Sequence, residues 1–98
     1  MSDAVLEIVE FKASGETGAL IEAAMAMETW LKAQSGFRWR RLSQLEGGAF
    51  LDTIEWADVQ SAAAAAAQIM SAEPAAGFMA QIEPASVVMR HATIALVQ

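Results

Sequence analysis

The stretch FRWRRLSQLEGGAFLDTIEWA, Phe37 to Ala57, decides the fold. Two strand-like runs flank Gly47-Gly48, and a Gly-Gly pair in that position is a hairpin signal. A two-residue or a four-residue loop gives the same pairing. Trp39 then lies opposite Trp56, Arg41 opposite Ile54, Ser43 opposite Asp52 and Leu45 opposite Phe50. Arg40 with Glu55, and Leu42 with Thr53, occupy the other face. A three-residue loop would slip the register by one residue and exchange the faces. The even-numbered loop is expected.

Before the hairpin, VLEIVEF at Val5 to Phe11 has the composition and length of a strand, and SGETG at 14–18 punctuates it. From there the period becomes helical: Leu20, Ala24, Met27 and Leu31 recur on one face, widened by Ala23 and Trp30. Glu28 and Lys32 form a favourable i,i+4 pair. Thr17 is the expected N-cap and Gly36 suits the position just past the end, so one helix of about 18 residues is predicted.

After the hairpin, Asp58 is placed to cap a helix built on SAAAAAAQIM, Ser61 to Met70. Val59, Ala62, Ala63, Ala66, Ile69 and Met70 make its expected buried stripe. SAEP at 71–74 breaks this helix, AAGFMAQIEP offers a second short helical piece stopped by Pro84, and Ser86 to Val97 reads as a final strand. Alanines this small leave two outcomes open: a helix seated close on the sheet, or one held off it above a methyl-lined cavity.

The order is strand, helix, hairpin, helix, strand. With right-handed crossovers this βαββαβ pattern gives an α+β ferredoxin-like domain over residues 1–98: a four-stranded antiparallel sheet with two helices on one face. The other sheet face is left bare. In a 98-residue chain that is 55% hydrophobic, with a mean hydropathy of +0.33 and no cysteine, a second copy is the expected cover. That second copy would set its own sheet against this one.

Composition also bounds the chemistry. One histidine and no cysteine exclude thiolate and multi-histidine metal sites within one chain, so no cofactor or metal is expected. A net charge of −6 disfavours nucleic acid. The acidic start MSDAVLEIVE lacks a basic leader, and no apolar run of about 18 residues is present, so a cytoplasmic chain without membrane partners is expected.

The candidate site residues follow from the expected register. Trp39, Trp56 and Ile54 share one hairpin face, joined by Trp30 and Phe78 from the helical segments. That face is either core packing or an aromatic wall for a small apolar or aromatic ligand. Arg41 and Asp52 fall on it as diagonal neighbours, a structural ion pair or a polar handle in a cavity. His91, near a first-strand carboxylate such as Glu7, is the default general base by its unperturbed pKa.

GFRWRRL, DTIEWAD, the alanine-spaced helix after Trp56, GFMAQIEP and MRHATIA together resemble the antibiotic biosynthesis monooxygenase-like group of dimeric α/β-barrel proteins, over essentially the whole chain. The resemblance implies the fold and the homodimer, with a ligand cavity between sheet and helices. It also implies a cofactor-independent oxygenase of a small aromatic or polyketide-like compound, with a non-catalytic binding or structural protein as the alternative. In such an enzyme His91, Arg41 and Asp52 would carry the polar contacts. Haem-degrading members of the group use a histidine in the second helical region, where this chain has Phe78, Met79, Ala80 and Gln81.

Overall fold

The computed structural model describes residues 3–98. Strand β1 (Val5–Phe11) is followed by helices α1 (Thr17–Met25) and α2 (Glu28–Lys32). The hairpin strands β2 (Phe37–Gln44) and β3 (Phe50–Trp56) come next. Helices α3 (Val59–Ile69) and α4 (Glu73–Ala80), a 3₁₀ turn over Pro84–Ser86 and strand β4 (Val88–Thr93) complete the fold. The sheet is antiparallel throughout, in the order β2-β3-β1-β4, as a ferredoxin-like fold requires. The final strand is shorter than its apolar composition suggested, because pairing with β1 ends at Val5–Thr93.

The hairpin adopts the odd-numbered loop, which corrects the expected register. Leu45 N–H donates to the Ala49 carbonyl at 2.7 Å, closing a three-residue loop at Glu46, Gly47 and Gly48. Both glycines have positive φ, +94° and +102°, a region that costs glycine nothing. Arg40 therefore faces Ile54, Arg41 faces Thr53 and Leu42 faces Asp52. An irregularity between Phe37 and Trp39 restores Phe37 to a position opposite Trp56.

One sheet face carries the helices. Along β3 burial alternates strictly, with Phe50, Asp52, Ile54 and Trp56 buried. Phe11 stacks on Phe50 at 5.8 Å and meets Phe78 edge-on at 5.8 Å, while Phe37 meets Trp56 edge-on at 5.7 Å. Period-two alternation puts Leu6, Ile8, Trp39, Leu51, Thr53 and Glu55 on the opposite face. No helix among the described residues covers that face.

The first helical segment is two helices. Arg40 Nη1 donates to the Ala24 carbonyl at 3.1 Å, and the same carbonyl accepts from Met27 N–H at 3.1 Å. A cation and a tight i−3 bond thus take the carbonyl that would otherwise continue the α-helix. The chain turns, and Leu31 N–H restarts the ladder on the Met27 carbonyl. Thr17 is the first helical residue and the cap position falls to Glu16, which makes no side-chain bond there.

The alanine helix starts as expected, with Asp58 accepting from Ser61 N–H at 2.7 Å. Its buried stripe is rotated: Ala62 and Ala65 are buried, whereas Val59, Ala63, Ala66 and Met70 are exposed. Gly36 makes room for the first turn of this helix. A Cβ at Gly36 would lie 2.3 Å from Ser61 Oγ, so a glycine at φ +82° lets the first turn of α3 press against the start of β2. Ala62 and Ala65 are buried in the same core cluster as Trp56.

Candidate functional site

Open space lies instead between α1–α2 and the edge strand β2. A groove of about 640 Å³ is walled by Ile21, Met25, Leu31, Phe37, Leu42 and Phe50, with Trp39 and Ser43 of β2 also lining it. Its polar lining comes from Thr17, Glu28, Lys32, Arg38, Arg40 and Gln44. Ile21 and Met25, 45% and 69% exposed, are apolar side chains that α1 turns towards this space rather than into the core.

Arg40 is the residue around which the groove is organised. Nε donates to Asp52 Oδ1 at 2.9 Å and Nη2 to Oδ2 at 2.7 Å, a bidentate pair. Both side chains are nearly buried. Nη1 holds the Ala24 carbonyl and approaches Met27 Sδ at 3.8 Å, and the guanidinium lies 4.8 Å above the Phe78 ring. One side chain thus ties β2 to β3, ends α1 and closes over the aromatic core.

The expected site residues are dispersed by the register. Asp52 sits on the helix-covered face, bonded to Arg40 and not to Arg41. Arg41 is on the opposite face, exposed, with its guanidinium 4.3 Å over the Trp39 ring. Glu55, expected beside Arg40, accepts instead from Arg38 Nη1 at 3.0 Å and Trp39 Nε1 at 3.0 Å. Trp39 is among the residues that line the groove. Trp56, Ile54 and Phe78 are core residues that line neither groove described here, and Trp30 packs against that core half-buried. Arg40, assigned to the wrong face by the even-numbered loop, is the groove residue that the sequence reading missed. The three-residue alternative contained the signal.

His91 lies elsewhere. It pairs with Glu7 across β1 and β4 and lines a second groove of about 370 Å³ with Asp3, Val5, Asp58, Val59 and Gln60. Burial pushes the Glu7 carboxyl above its ordinary range, opposed by the hydrogen bond from Trp56 Nε1 at 3.0 Å and by the neighbouring His91. At the α3 N-terminus, the bonds from Ser61 hold the Asp58 carboxyl below its ordinary range.

No family model matches the chain, and no curated protein matches it. Solved structures do. The N63A mutant of SnoaB, a cofactor-independent oxygenase from Streptomyces nogalater, superposes with a TM-score of 0.79 at 16% identity, covering 98% of this chain and 97% of that one. NE2512 from Nitrosomonas europaea, of unknown function, gives 0.71 at 15% identity, covering 98% and 93%. A candidate antibiotic biosynthesis monooxygenase from Chloroflexus aurantiacus J-10-fl gives 0.70 at 16% identity, covering 97% and 96%. Over nearly its whole length, the chain therefore has the fold of a cofactor-independent oxygenase and of antibiotic biosynthesis monooxygenase-like proteins.

Proposed function

We propose that this chain is a homodimeric, cytoplasmic member of the antibiotic biosynthesis monooxygenase-like group, formed by a single domain that binds a small aromatic compound between α1–α2 and β2. The observation that carries this reading is the groove itself: an apolar trough of about 640 Å³ with one nearly buried, pre-oriented guanidinium among its lining residues. The fold shared with SnoaB supports oxygenation as the reaction. An electron-rich phenolic substrate loses a proton to solvent at the groove mouth and delivers electrons directly to O₂. At an activated methylene, one oxygen atom becomes a carbonyl oxygen and the other leaves with the two hydrogens as water. Arg40 stabilises the oxygen anion that develops on the substrate.

Support for the homodimer comes from the uncovered sheet face, where Leu6, Ile8 and Leu51 are half-buried apolar residues without a helix above them. A non-catalytic ligand carrier is the second reading. It is favoured by the position of His91 in the other groove, which leaves no histidine among the lining residues of the first. Oxygen consumption with a panel of anthrones and polyhydroxylated naphthalenes separates the two. Turnover that is lost when Leu42→Trp fills the groove supports the oxygenase; binding without oxygen uptake supports the carrier.

A further inference from the structure

The charges around the groove define the class of ligand it accepts. Each of its three cations faces a carboxylate: Lys32 is 3.5 Å from Glu28, Arg38 is 3.0 Å from Glu55, and Arg40 holds Asp52 bidentately. A guanidinium has five N–H donors. Among the described residues, Arg40 commits Nε–H and one Nη2–H to Asp52, and the two Nη1–H groups to the Ala24 carbonyl and Met27 Sδ. One N–H on Nη2 remains. A carboxylate ligand is bound best by two parallel donors; beside the remaining Nη2 N–H the second would be an Nη1 N–H, which Arg40 could offer only by giving up the Ala24 carbonyl or Met27 Sδ. A single hydroxyl or carbonyl oxygen needs only one donor.

We propose that the groove selects an uncharged aromatic ligand that presents one hydroxyl or carbonyl oxygen to Arg40, and discriminates against carboxylates. This rests on the groove being the ligand site. It also suits oxygenation, because the ligand enters neutral and its charge appears only as the reaction proceeds, when the remaining N–H gains most.

Isothermal titration of the full chain at neutral pH with 1-naphthol and 1-naphthoate tests it. The expected result is at least tenfold tighter binding of the naphthol. Equal or tighter binding of the naphthoate overturns the selection while leaving the groove as a site. If neither compound binds, the groove reading falls, and the selection with it. Glu55→Gln supplies a second arm, because it frees Arg38 at the rim without touching Arg40. Naphthoate affinity should then rise at least threefold with naphthol affinity unchanged. A naphthoate affinity that does not move overturns the argument from paired charges.

Discussion

Arg40 and Asp52 meet through two parallel hydrogen bonds on the helix-covered face of the sheet, with both side chains nearly buried. Neither residue can be removed alone without stranding the other's charge. Asp52→Ala is expected to cost about 3–5 kcal/mol. Arg40→Met is expected to cost a similar amount and in addition to free the Ala24 carbonyl. The double replacement Arg40→Met with Asp52→Leu should recover a large part of either loss. Urea unfolding of the three variants measures this; a double variant no more stable than the singles would contradict it.

Glu7 gives the pH dependence. Burial raises its folded pKa, with Asp52 adding to the shift and Trp56, His91 and Arg40 opposing it. A carboxyl raised in the folded state adds stability at acid pH, and this is lost as the pH rises through the raised value. Glu7→Gln keeps an oxygen for Trp56 Nε1 and removes the charge. It should raise the melting temperature at pH 7–8 relative to the parent, and the gain should vanish near pH 4. A gain that is the same at both pH values would show that burial of the charge is not its cause.

Gly36 sets how closely α3 seats. Gly36→Ala should cost about 1–3 kcal/mol, because the new Cβ meets Ser61 and the backbone stays at φ +82°. Adding Ser61→Gly should recover only part of that loss, since the left-handed backbone remains. Full recovery in the double variant, read by thermal melting, would mean that the contact alone matters.

The bare sheet face should hold a second copy. Sedimentation at micromolar concentration is expected to show a dimer, and Ile8→Glu should shift it towards monomer. A folded parent monomer at those concentrations would contradict this.

What could be read in advance followed from local physics. The 3.6-residue spacing of Leu20, Ala24, Met27 and Leu31, the Asp58 cap before an alanine run, and two glycines between strand-like runs each depend on neighbours in sequence. They were enough for the element order and for the sheet. The register depended on whether the loop holds an odd or even number of residues, which Gly47-Gly48 does not reveal, and a one-residue slip moved the β2 side chains to the other face while those of β3 kept theirs. The break after Met25 was invisible for another reason. Its cause, the Arg40 guanidinium on the Ala24 carbonyl, arrives from a strand 16 residues away. The candidate site inherited both difficulties: the register that sets Arg41 beside Asp52 hides the Arg40–Asp52 pair.

The proposed ligand site is the groove between α1–α2 and β2, which takes a small aromatic compound. An amide NMR titration of the full chain with 1-naphthol tests it most directly. The expected result is saturable shifts clustered at Ile21, Met25, Phe37 and Leu42, with Val59 and His91 unmoved. Shifts confined to Val59 and His91, or none at all, would contradict it.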